Sequence, residues 1–159
     1  MTGKTHLVGG ISASLVVVNF TEYDPLVLTA AGAAGSLIPD ICHGGSKIGR
    51  RFPLLSKIVN VLFGHRTFTH SLLFLALTSI LIAVFSDSSA ILIGYIVGVA
   101  SHLILDAATK NGIQLLYPFK LTVRLPLTTR TGGAVEYIVL AGLSLVAIYY
   151  GKDILFNYI

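Results

Sequence analysis

Five apolar stretches, 5–20, 26–41, 70–85, 89–108 and 135–150, follow one another with almost no charge inside them. Each is long enough for a helix, although most fall short of the ~20 residues that cross ~30 Å of hydrocarbon. None shows the polar face that a helix on the surface of a water-soluble domain presents. Charged residues make up 11% of the chain, apolar residues 54%, and mean hydropathy is +0.83. A soluble domain carries roughly 25% charge, so there is too little here to coat a globule in water. The reading is an all-α fold: a polytopic membrane helical bundle of about five apolar helices plus one interfacial amphipathic helix, forming a single membrane-embedded domain over residues 1–159.

Assigning alternate connections to opposite sides of a membrane separates the cations. Lys4, Lys47, Arg50, Arg51, Lys57, Arg66, Lys110, Lys120, Arg124 and Arg130 fall on the side of the N-terminus, and Lys152 alone falls on the other. Lys and Arg accumulate in cytoplasmic loops, so the N-terminal side is expected to be cytoplasmic. Glu22, Asp24, Asp87 and Asp153 fall opposite, as solvated loop charges. The net charge of +4 does not describe a nucleic-acid-binding face, because the cations are spaced between apolar segments. Lys4 followed by the apolar run 7–18 imitates a signal peptide, but residues 19–22 offer no small-x-small cleavage pattern and the segment reads as a retained helix. The lone cysteine, Cys42, excludes an internal disulfide. After Pro53, Leu54, Leu55, Ile58, Val59, Leu62 and Phe63 recur at helical spacing beside Arg50, Arg51 and Lys57, as in a helix lying in the interface on anionic lipid. The connection 111–133 alternates Leu121, Val123, Leu125 and Leu127 with polar residues and holds Pro118, Pro126 and a Gly132-Gly133 pair, which points to extended or re-entrant chain.

All five histidines and the remaining three acids gather at the cytoplasmic ends of the apolar stretches. His6 opens the first; Asp40 and His43 close the second; His65 and His70 bracket the start of the third; His102 and Asp106 end the fourth; Glu136 begins the fifth. Spacings of i,i+4 for His102 and Asp106 and i,i+3 for Asp40 and His43 place pairs on one helical face. Ionisable groups in apolar segments are costly and tend to be paired or functional. These eight side chains, His6, Asp40, His43, His65, His70, His102, Asp106 and Glu136, are therefore expected metal ligands, and their number suits two or three divalent ions better than one tetrahedral zinc. Nitrogen and oxygen donors together fit zinc, manganese, iron or nickel, with zinc favoured. Paired ions activate water and clamp the oxygens of an in-line displacement, as in phosphoester hydrolysis. Arg66, Arg124 and Arg130 are candidates for binding phosphate through guanidinium forks. Asp40, His65, Arg66, His70 and Glu136 are the residues expected to carry catalysis. Thr5, Ser46, Thr69, Ser71 and Thr109 stand where hydroxyls either orient ligands or cap helices.

The blocks Thr5-His6, Pro39-Asp40-Ile41-Cys42-His43 with Ser46, His65-Arg66-x-x-Thr69-His70-Ser71, His102-x-x-x-Asp106 with Thr109 and Gly112, and Gly132-Gly133-x-x-Glu136 resemble, in order and over essentially the whole chain, the YdjM-like family of membrane-bound metal-dependent hydrolases. That family is distantly similar to the zinc-dependent phospholipase C group. The resemblance implies a metallohydrolase. A ligand cluster level with the lipid head groups and rimmed by arginine makes a phosphorylated lipid or lipid-linked molecule the expected substrate, beside membrane lipid, with no nucleic acid expected and the oligomeric state open. The family pattern has a second acid where this chain has Cys42, which could serve as a thiolate ligand or as a small buried residue. The other reading of the same ligands is a divalent-metal transporter or metal-sensing membrane protein. Transport sites usually lie near the midplane, whereas these residues sit at one face.

Overall fold

The computed structural model describes residues 1–158, with side chains described for all of these except 153 and 155–158. Asp153, one of the acids assigned to the far side, thus lies outside the described side chains. Seven α-helices account for the regular structure: α1 (Gly3–Val18), α2 (Pro25–Gly35), α3 (Lys47–Arg51), α4 (Pro53–Phe63), α5 (Leu72–Phe85), α6 (Ser89–Ala107) and α7 (Ala134–Tyr158). Two short 3₁₀ turns, Ile38–Cys42 and Phe68–His70, precede α3 and α5. Three segments, Pro25–Cys42, Ser89–Ala107 and Ala134–Lys152, are long and apolar enough to cross a membrane, and Gly3–Val18 and Leu72–Phe85 are shorter apolar helices.

The distribution of side chains is that of a protein surrounded by lipid. Leu73, Leu77, Ile80, Leu81 and Val84 of α5 and Ile138, Leu145 and Ile148 of α7 are exposed, while Thr5, His6, Ser12, Ser14, Ser36, His70, His102 and Asp106 are buried. In water, an exposed apolar surface of this extent would drive association. α4 is the amphipathic helix expected from the sequence: Leu54, Leu55, Ile58, Val61 and Leu62 face outward. It is tied to the first 3₁₀ turn by Asn60, whose Nδ2 donates to the Cys42 carbonyl at 2.7 Å.

The second apolar stretch is not one continuous helix. Asp24 caps α2, its carboxylate accepting from the Val27 N–H at 2.8 Å with Pro25 in the first turn. The helix ends at Gly35, because Pro39 has no N–H and disfavours α geometry in the residue before it. The chain then tightens into the 3₁₀ turn that carries Asp40. The connection 111–133 is non-helical as expected, but it runs through turns at 115–118 and 131–132 as well as extended chain, held by isolated bridges between Thr109 and Thr129 and between Ile113 and Val123.

Helices α1, α2 and α6 meet along a seam of glycine. A Cβ at Gly98 would fall on the carbonyl oxygen of Gly32, one at Gly94 on that of Leu28, and one at Gly10 within 2.7 Å of the Gly32 oxygen. Helices in lipid gain little from apolar burial against each other and associate through such close backbone approach. Gly10 lies one turn from His6, Gly98 one turn from His102, and Gly32 one turn from Ser36. The seam therefore sets the spacing of the polar residues immediately beyond it.

A buried histidine and aspartate cluster

At the end of the seam, His6 of α1 and His102 of α6 are both fully buried and stack with ring centroids 3.7 Å apart and planes 17° apart. His102 Nδ1 lies 2.7 Å from the Ser36 carbonyl oxygen. A carbonyl only accepts, so Nδ1 carries the proton and Nε2 is left with its lone pair. That Nε2 is 3.1 Å from His70 Nε2, which the 3₁₀ turn ahead of α5 delivers to the same point. Thr69 Oγ1 stands 3.0 Å from the other His70 nitrogen. Asp106, one turn after His102, lies 3.2 Å from His6 Nε2 and 3.4 Å from His70 Nε2, and its Oδ1 also meets the amino group of Met1. Asp40 Oδ1 is 3.8 Å from His70 Nε2 and 3.9 Å from His102 Nε2.

Donor atoms of His6, Asp40 and His102, and of His70, His102 and Asp106, each lie within 4.8 Å of one another, so two groups able to hold an ion share His102. Both nitrogens of His6 are buried without a hydrogen bond, while Oδ2 of Asp106 has the Arg66 guanidinium at 3.1 Å and the His70 ring at 3.4 Å as neighbours. Buried polar atoms are ordinarily satisfied, and lone pairs left free on a convergent set of imidazole and carboxylate groups are what a borderline divalent cation coordinates. The donor set thus fits a metal. In the turn ahead of α5, burial opposes charge on His70, but hydrogen bonds and charge from Asp106 and Cys42 outweigh it and raise its pKa to about 9.

Arg66 closes one side. Its backbone is left-handed, with φ of 61°, a conformation costing a non-glycine residue about 1–2 kcal/mol. The side chain thereby reaches inward, with NH2 3.1 Å from Asp106 Oδ2 and NH1 donating to Thr109 Oγ1 at 2.7 Å. Beyond the cluster opens a cavity of about 620 Å³ whose wall includes Asp40, His43, His65 and Arg66 together with Lys4, Lys47 and Arg50. From the sequence these last three cations read as topology signals, and Arg50 also as a contact to anionic lipid, not as part of a site. Their place in the wall follows from the fold of 36–66 over the start of α1, for which hydropathy holds no signal.

Several expected ligands are positioned differently. Glu136 lines the cavity but belongs to neither donor group. Its Oε1 accepts from Thr2 N–H at 2.6 Å and Thr5 Oγ1 at 2.5 Å, and its Oε2 from Gly132 N–H at 2.6 Å. It is a clasp joining the starts of α1 and α7. His43 is not paired with Asp40, because as the cap of the 3₁₀ turn it has extended backbone that points it outward, where its ring lies 5.0 Å from that of His65. His65, also exposed, contacts the buried Cys42, with Sγ 3.2 Å from Nδ1. Arg124 and Arg130, next to the bridged Val123 and Thr129, are exposed on the 108–133 connection and do not line the cavity. Of the hydroxyls, Thr5, Thr69 and Thr109 touch Glu136, His70 and Arg66, whereas Ser46 and Ser71 cap α3 and α5.

The clasp reading has its own test. Glu136→Gln keeps the shape and removes the charge that its three donors face, and charge-assisted hydrogen bonds of this kind contribute about 1.5–3 kcal/mol each. Thermal unfolding of the variant in detergent is expected to show a loss of this order, with bound metal unchanged. Loss of metal without loss of stability would instead make Glu136 a ligand.

Fold and cluster together define an all-helical membrane protein with histidine and aspartate side chains converging at one end of its bundle. The chain belongs to the YdjM inner membrane protein family, whose model matches residues 1–156. It is 53% identical over 150 residues, 94% of each chain, to the uncharacterized protein YvsG of Bacillus subtilis (strain 168). It is 34% identical over 140 residues, 80% of this chain and 70% of the relative, to the inner membrane protein YdjM of Escherichia coli (strain K12), with the same figures for that of Shigella flexneri. No solved structure matches the chain.

Proposed function

We propose that this protein is a membrane-bound, metal-dependent hydrolase cleaving a phosphoester of a lipid or lipid-linked substrate at the cytoplasmic face. The observation that supports this most is the convergence of four buried donors, His6, His70, His102 and Asp106, and the partly exposed Asp40 beside a cavity walled by Lys4, Lys47, Arg50 and Arg66. The five would hold divalent metal, zinc favoured, with the one free nitrogen of His102 able to serve either of the two overlapping groups, and metal when bound would supply Lewis-acid polarisation of a phosphoryl oxygen and a lowered pKa for water.

The remaining roles fall to the protein. Arg66, fixed by Asp106 and Thr109, presents its guanidinium at the boundary between cluster and cavity and orients a phosphate there. Lys4, Lys47 and Arg50 raise the local concentration of an anionic head group. Asp40, 15% exposed where Asp106 is 1%, is the carboxylate placed to accept a proton from water on the cavity side. His65 at the rim, its Nδ1 against Cys42, is the group that returns a proton to the leaving oxygen through its other ring nitrogen. The cytoplasmic assignment is supported by the segregation of ten of the eleven Lys and Arg residues into segments at the cluster's end of the bundle.

Purified protein in detergent is expected to contain bound divalent metal and to release phosphate from a long-chain alkyl phosphate in a chelator-sensitive manner. Metal-free protein that binds none on addition, with no product formed, would overturn the reading. Saturable flux of zinc, manganese or nickel into vesicles, without hydrolysis, would replace it by transport.

A further inference from the structure

A second cleft, of about 280 Å³ and apolar along its wall, lies between α1, α6 and α7. We propose that it seats the hydrocarbon chain of the same amphiphile whose phosphate enters the cation-lined cavity, so that the two recesses form one substrate track. The proposal rests on reading the cavity as a phosphate site.

Continuity carries the argument. On α1, Thr5 borders the cavity and Gly9, Ala13 and Val16 border the cleft, successive positions of one helical stripe. On α7, Tyr137 and Leu140 border the cavity, and Leu143 and Val146 continue the line one and two turns further. From Gly9 to Val16 the stripe runs about 10 Å along the helix, directed away from the cations and into the apolar length of the bundle. The two hydroxyls in the wall are already engaged: Ser12 Oγ donates to backbone carbonyls, at 2.8 Å to Val8 and 2.7 Å to Leu143, and Ser101 Oγ donates to Gly98 at 2.9 Å. Nothing in the cleft asks for a polar partner. Gly9 keeps it open, since a Cβ there would come within 2.6 Å of Leu105 Cδ1.

Chain burial alone would not select a ligand, because lipid tails are as apolar as the cleft. Selection must come from the head group anchoring the chain at one end. This makes the test a comparison of heads on one tail. Protein in phosphatidylcholine nanodiscs would be irradiated with dodecyl phosphate carrying a mid-chain diazirine, or with the corresponding dodecanol, and labelled peptides mapped by mass spectrometry. The phosphate probe is expected to label 13–16 of α1 and 143–146 of α7 about tenfold more than the alcohol does, the discrimination that charge-assisted hydrogen bonds to the head supply. Ala13→Phe, which fills the cleft, should abolish that preference. Val146→Phe should do the same from α7, a span only 6% buried and so tolerant of the change. Equal labelling by both probes, or labelling spread evenly over the outer faces of α5 and α7, would overturn the proposal. Cleft-specific labelling by a probe that is never hydrolysed would leave the track standing while removing the hydrolase. Phosphate release with evenly spread labelling would do the reverse.

Discussion

Asp106→Asn is expected to abolish metal binding and to destabilise the protein together. The carboxylate is 1% exposed and is the common neighbour of His6, His70, Arg66 and the Met1 amino group. Removing one partner from a buried ionic network strands the others, at a cost of about 3–5 kcal/mol. Asp40→Asn separates the two effects. Its carboxylate is 15% exposed and its nearest imidazole nitrogen in the cluster is 3.8 Å away, so metal should be lost with little change in unfolding temperature. Elemental analysis and thermal unfolding of both variants check the pair of outcomes. Full metal content in Asp106→Asn would remove the carboxylate from any coordinating role.

Gly98→Ala should disrupt the bundle, although alanine is the better helix former by about 1 kcal/mol. The added methyl would fall on the Gly32 carbonyl oxygen, which belongs to the backbone of α2 and cannot swing aside as a side chain can. Forcing atoms into a packed contact costs about 1–3 kcal/mol where side chains adjust, and a rigid backbone partner places this substitution at or beyond the upper end. The clash outweighs the propensity. At Gly142 of α7 a Cβ would meet nothing within 4 Å, so Gly142→Ala, with the same propensity gain and no clash, should be neutral or stabilising. The unfolding temperature in detergent should fall for Gly98→Ala and hold or rise for Gly142→Ala. Metal content should fall with Gly98→Ala as well, since α2 supplies the Ser36 carbonyl that orients His102.

What could be read from residues alone was whatever depends on repeated pattern. The apolar helices, the amphipathic α4 and the arrival of His6, Asp40, His70, His102 and Asp106 at one end all follow from hydropathy and the alternation of sides. The fates of Glu136 and His43 depend on single dihedral choices, the turn at Gly132 and the extended cap after the 3₁₀ segment, which have no periodicity to detect. Gly94-x-x-x-Gly98 is visible as a string, but only the packed structure shows that its partner is the carbonyl row of α2. Arg66 was legible as a cation beside His65; its left-handed backbone, which turns it inward, was not.

Backbones that touch as those of α1, α2 and α6 do cannot slide or separate without breaking their register, so the floor beneath the imidazoles behaves as a fixed anvil. Ions or head groups entering the cavity would then be admitted by wall segments that do not share this contact, 43–50 and 65–66 together with Asn111, Thr131 and Gly132. Speed of entry and strength of grip would accordingly be adjustable by separate substitutions, one set above the floor and one within it.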